Sequence, residues 1–186
     1  FDDVRKSIGH RPEAGQKLVL LGETKEEFGG SIWQQVTGAG LNGLPPQVDL
    51  ANEERLAAVL TASEAAGITA AHDLSEGGLG QSLAEMCFDG GVGAQVDLSA
   101  VHADATTALF SAAASRILVA TNDVEATLAA AKQAGVPAAE IGATTEERTI
   151  KVAEGVSVGV DELREVWAAT LPGLFGNATG ANSVLD

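Results

Sequence analysis

The run His72-Asp73-Leu74-Ser75-Glu76-Gly77-Gly78-Leu79 sets an imidazole, two carboxylates and a hydroxyl beside a glycine pair. Carboxylates and hydroxyls can bind sugar hydroxyls or an amide, and paired glycines let the backbone turn sharply and approach a ligand closely. Gly67-Ile68-Thr69-Ala70-Ala71, just upstream, reads as a short buried strand entered through a turn glycine, which delivers His72 and Asp73 to its carboxyl end. Downstream, Leu79, Leu83, Met86 and Cys87 recur at i, i+4, i+7 and i+8, the stripe of an amphipathic helix whose Gln81, Ser82 and Glu85 should face water. The start of such a helix offers unpaired N–H groups and the positive end of its dipole, so Glu76, Gly77 and Gly78 would support a bound anion, phosphate or carboxylate. The competing structural reading is that Asp73 or Ser75 only caps the helix, and that His72 bonds a neighbouring backbone carbonyl.

A second junction of the same type is Phe28-Gly29-Gly30-Ser31, with Ile32, Trp33 and Val36 suggesting a short helix or turn that begins at Ser31. Taken alone, it reads as an N-capping serine after a flexible loop. Residues 38–48 are glycine-rich and contain Pro45-Pro46, which predicts a surface loop long enough to rest over a neighbouring site.

Strands and helices alternate around these junctions. Lys17 to Leu21 is an apolar strand ended by Gly22, and Leu50 to Ala66 reads as a helix with Leu56, Val59 and Leu60 inward. Strands follow at 93–98 and 116–120, with a helix from Asp104 between them. Asn122 and Glu125 suggest a capping box for a helix closed at Gly135. Two further strands are expected near 139–143 and 149–152. A last helix from Asp161 should turn Leu163, Val166 and Trp167 inward and stop at Pro172-Gly173. The alternation predicts a layered α/β/α sandwich with a mixed sheet. The expected organisation is a linker from an upstream domain over 1–15, one domain over 16–172 and a mobile tail over 173–186.

Composition narrows the function classes. With 45% hydrophobic and 20% charged residues, the chain is globular in character, and no apolar run reaches the length of a membrane span. A cytoplasmic location is expected, because the first residues lack an apolar signal core. Eleven basic against 26 acidic residues give a net charge of −15, which disfavours nucleic acid and anionic membranes as partners. An anionic substrate would then depend on backbone N–H groups, a few local cations or basic residues from another domain. Cys87 lies on the apolar stripe and reads as a core residue, and the three histidines are too scattered for a zinc site. No phosphate-cradling G-x-x-x-x-G-K-[ST] and no G-x-G-x-x-G after a strand is present.

Leu20 to Thr24, Gly29-Gly30-Ser31, Gly43 to Leu50 with its Pro-Pro-x-Val-Asp-Leu, and His72 to Leu79 together resemble, in order and spacing, the C-terminal domain of the aminoimidazole ribonucleotide synthetase superfamily. The Pro-Pro segment and Leu109-Phe110-Ser111 bring the resemblance nearest to the phosphoribosylformylglycinamidine synthase branch. The resemblance covers roughly residues 16–172 and implies an ATP-dependent ligase that amidates formylglycinamide ribonucleotide in purine biosynthesis. It further implies that ATP and Mg are held mainly by preceding domains absent here, that ammonia comes from a glutaminase subunit, and that this piece alone is inactive, with no catalytic residue of its own. Carried over by motif, Gly29, Gly30 and Ser31 would meet the ribonucleotide phosphate, Asp73 the ribose or glycinamide part, and His72 and Ser75 would shape the loop. Glu76 stands where the family commonly has Asp, Ile32 where Glu often follows Gly-Gly-Ser, and Ala112 to Ala114 where an acidic residue is usual. The alternatives are a same-fold relative, such as an aminoimidazole ribonucleotide or selenophosphate synthetase, and a noncatalytic binding or assembly domain.

Overall fold

A computed structural model describes residues 7–153 and 155–175. Its elements in chain order are β1 (Lys17–Leu21), α1 (Ile32–Thr37), α2 (Leu50–Thr61), β2 (Ile68–Asp73), α3 (Gly78–Gly90), β3 (Gly93–Val96) and α4 (Ala105–Phe110). They continue with β4 (Ile117–Thr121), α5 (Val124–Ala134), β5 (Ala138–Thr145), β6 (Thr149–Val152), β7 (Val156–Gly159) and α6 (Val160–Leu174). The strands form one sheet in the order β2-β4-β1-β5-β3-β6-β7. Among the described strands, only the β3–β6 pair is parallel and the other strand pairs are antiparallel, so the sheet is mixed as expected.

Side chains alternate across a strand, and β1 uses both faces. Leu18 and Leu20 join Ala70, Leu118 and Ala120 beneath Leu79, Leu83, Met86 and Cys87 of α3, with Ala108 of α4 and Val160 of α6. Val19 and Leu21 join Ile68 and Val119 on the other face, beneath Leu56 and Val59 of α2 and Ala131 of α5. The result is the expected α/β/α sandwich. Fully buried leucines such as Leu18, Leu79 and Leu118 each stabilise it by roughly 1.5–3 kcal/mol.

Several local expectations are corrected. Helix α2 ends at Thr61, and a turn carries the chain to Gly67, because Ser63 must accept from the Ile68 N–H to launch β2. Asp123, not Asn122, caps α5 by accepting from Ala126 N–H at 2.9 Å, while Asn122 accepts from the Gln16 amide. Strand β7 was not foreseen; it is a four-residue edge strand paired with β6. Helix α6 passes through Pro172 to Leu174. Its Leu163 packs on the core, but Val166 and Trp167 are exposed. Residues 176–186 of the expected tail and 1–6 of the expected linker lie outside the described residues. Within the lead, Gly9 bridges to Ala70 and the Gly15 N–H donates to Thr144.

Candidate functional site

Leu21 pairs with Ile117 and Ala138, and Asp73 with Ile117, so the ends of β1 and β2 and the starts of β4 and β5 share one end of the sheet. There Leu74 is buried, and Ser75 and Glu76 lead out to Gly77 and Gly78, with φ of 79° and 63°. A Cβ on Gly78 would lie 2.7 Å from the Ser111 carbonyl oxygen and 2.8 Å from that of Leu109. Glycine is therefore needed twice over, for the left-handed backbone and for the seating of α3 on the end of α4. Gly77 caps α3 without a side-chain bond, which overturns the reading of Asp73 or Ser75 as the cap. Two successive left-handed residues place Ser75 too early in the turn, and only its carbonyl serves, accepting from Gly78 N–H at 3.2 Å.

His72 does bond a backbone carbonyl, with Nδ1 2.8 Å from the Asp73 oxygen. Its Nε2 lies 2.9 Å from Oε2 of Glu85. Glu85 was expected in water, yet its side chain is 26% exposed, and its Oε1 accepts from Gln81 Nε2 at 2.8 Å and Trp167 Nε1 at 3.2 Å. Ser82 is likewise buried and donates to the Asp73 carbonyl at 2.8 Å. The Asp73 carboxylate is 74% exposed. A cleft of about 500 Å³ opens here, lined by Ile32, Ser75, Glu76, Gly77, Gln81, Ser82, Glu85 and Trp167.

Ser31 caps α1, with Oγ 3.4 Å from Gln34 N–H, as its sequence setting suggested. Gly30 N–H donates to Gln34 Oε1 at 3.0 Å, and the Gln34 amide donates to Asn42. The 38–48 loop covers Gly29 so closely that a Cβ would stand 1.9 Å from the Leu44 carbonyl oxygen. Trp33 stacks on Phe110 with centroids 4.6 Å apart, so α1 rests on α4, the same support that α3 uses. The two junctions thus meet at one cleft. Ile32 enters it from the first, and Ser75, Glu76 and Gly77 from the second. Gly29, Gly30, Ser31, His72 and Asp73 are not among the lining residues, and Gly78 is buried.

The family described as AIR synthase related protein, C-terminal domain, matches residues 13–154. The chain belongs to this family. The phosphoribosylformylglycinamidine synthase subunit PurL of Corynebacterium aurimucosum is 56% identical over the whole of this chain, which spans 26% of that protein. The chain thus covers about a quarter of such relatives. Among solved structures, T. maritima PurL complexed with ATP superposes with a TM-score of 0.70 at 22% identity, covering 86% of this chain and 27% of that one. T. maritima PurL complexed with FGAR gives 0.69 at 21%, covering 84% and 29%. These two likenesses are of fold.

In this AIR synthase related domain, the loops behind the cleft are held by a residue that sequence reasoning missed. Arg116 is buried and donates to the carbonyls of Ala113 and Ser111 at 3.0 and 2.7 Å and to Thr24 Oγ1 at 3.2 Å. Burial pulls its guanidinium down to about 10, with Glu27 opposing, so it stays charged at neutral pH. A lone arginine opening an apolar strand was the available signal. Cys87 is the core residue expected, and burial pushes its thiol up to about 12. Among the described residues, no group of three or more His, Cys, Asp or Glu is placed to hold a metal, and no helix is long and apolar enough to cross a membrane.

Proposed function

We propose that this chain builds one wall of a formylglycinamide ribonucleotide site in a phosphoribosylformylglycinamidine synthase, an ATP-dependent C–N ligase of purine biosynthesis. The observation that carries this reading is the meeting of the two Gly-Gly junctions at one cleft, Ile32 from the first and Ser75, Glu76 and Gly77 from the second. Identity of 56% to a PurL subunit along the whole chain supports the branch, and T. maritima PurL has been obtained in complex with FGAR.

The roles follow from chemistry. The Ser31 oxygen accepts from Gln34 N–H, which leaves the hydroxyl proton to donate to a phosphate oxygen beside Gly29 and Gly30. Asp73, exposed and acceptor-only, suits ribose hydroxyls or the glycinamide N–H. His72 and Ser75 shape the loop between them, and Glu76, Gly77 and Gly78 brace the turn. Of the carboxylates lining the cleft, Glu85 is already taken up by His72, Gln81 and Trp167, which leaves Glu76 alone against the three phosphates of ATP and their Mg²⁺. No step is therefore routed through ATP here; it and Mg²⁺ belong with preceding domains of the full-length enzyme, and ammonia with a glutaminase subunit.

Calorimetry of this chain with formylglycinamide ribonucleotide and with ATP tests the division of labour. The expected result is weak or absent ATP binding and no turnover. Robust turnover by this chain alone would overturn the reading.

A further inference from the structure

Glu85 gathers partners from three elements onto one carboxylate: His72 at the end of β2, Gln81 one turn earlier on α3, and Trp167 of α6. Oε2 serves His72, and Oε1 serves the other two, so the acceptor capacity of the group is nearly used. Each partner shapes the cleft wall. The His72 ring, held at Nε2, turns Nδ1 onto the Asp73 carbonyl, which also accepts from Ser82. With its carbonyl pinned from both sides, Asp73 has only its carboxylate left to meet a ligand. Gln81 stands directly behind the turn, its Cβ 2.6 Å from where a Cβ on Gly77 would be. Trp167 forms the far side of the cleft and has its indole 6.1 Å from the Phe88 ring.

We infer that Glu85 is the positioning residue of this wall, holding His72, Gln81 and Trp167 in one arrangement and thereby setting how Asp73 and Gly77 meet the substrate. The inference rests on the ribonucleotide reading above. A carboxylate that served folding alone would have no reason to line the cleft, to draw Gln81 and Trp167 from that cleft's own walls and to hold the ring whose other nitrogen meets the Asp73 carbonyl. Removing it takes the shared partner from the Gln81 amide, the Trp167 indole N–H and the His72 ring, and these groups must turn toward water or one another.

The test uses the full-length synthase with ammonia as nitrogen donor. Glu85→Ala should raise KM for formylglycinamide ribonucleotide about tenfold, which corresponds to about 1.4 kcal/mol of lost binding. KM for ATP and kcat should stay within about twofold, the pattern of lost substrate positioning. Glu85→Gln should restore most of the affinity, because its oxygen still accepts while its amide can donate to His72. A crystal structure of the Glu85→Ala enzyme should show the His72 ring and the Trp167 indole in new rotamers. Unchanged rotamers overturn the inference, as does an unchanged ribonucleotide KM while Asp73→Ala raises it. If Asp73→Ala also leaves that KM unchanged, the substrate reading fails instead, and the two rotamers alone decide the role of Glu85.

Discussion

Gly77-Gly78 leads into the thirteen residues of α3, whose Leu79, Leu83, Met86 and Cys87 are buried, whereas Gly29-Gly30 leads into the six residues of α1, of which only Gln34 is buried. The first junction is held from below by the hydrophobic core and has a glycine where a capping side chain would be. The second is held by polar bonds, the Ser31 cap and the Gln34–Asn42 pair, and by a loop lying across Gly29. Similar sequences thus produce one wall anchored in the core and one anchored by polar bonds. A core-anchored turn keeps its shape because distorting it disturbs close packing, while a turn held by a few surface hydrogen bonds can rearrange at little cost.

The contrast can be broken by substitution. Gly78→Ala should destabilise the fold by about 3 kcal/mol, combining a left-handed alanine with a clash against two carbonyls. Urea unfolding measures it, and a loss below that of Gly29→Ala would remove the distinction. Gly29→Ala meets the Leu44 backbone of the covering loop, which can move away, so it should cost about 1 kcal/mol globally while speeding amide exchange in α1. Ser31→Ala should cost roughly 0.5–1 kcal/mol, the usual value of a lost cap, and hydrogen exchange should show the loss confined to α1.

The smallest effect concerns α4, the shared support. Hydrogen bonds from the Thr107 N–H and hydroxyl hold the Asp104 carboxyl below its ordinary value of 3.8. A lowered folded value means stabilisation that is present above 3.8 and lost as the pH falls through the folded value. Asp104→Asn should therefore flatten the acid limb of the stability curve slightly; an unchanged limb would show that the cap carries no such linkage.

The strand and helix alternation was legible because burial imposes periods of two and 3.6 on apolar residues. Lys17 to Leu21, the α3 stripe and the Asp104 cap all stand where the pattern set them. The structure departs from that pattern in two ways. Boundaries shifted where neighbouring elements had claims on the chain, as when α2 ended early to launch β2. Polar residues on α3 were assigned to water because helical periodicity says which side faces the core, and Ser82 and Glu85 lie at the margin of that side, under α6 and beside β2. The motifs paired the two junctions; the cleft takes Ile32 from the first and Ser75, Glu76 and Gly77 from the second, while Gly29, Gly30 and Ser31 stay outside its lining.

By itself, then, the sequence determined the layering, the core stripes and the two glycine turns, all of which follow from local periodicity and the conformational freedom of glycine. The tertiary structure alone decided which polar groups meet. Trp167 reaches Glu85 across 82 residues, and Arg116 reaches Thr24 across 92. Such partners are chosen by the sheet order and by which helices share a face, and no local pattern carries that information. A carboxylate on the polar flank of a helix is the same letter whether water or three donors surround it.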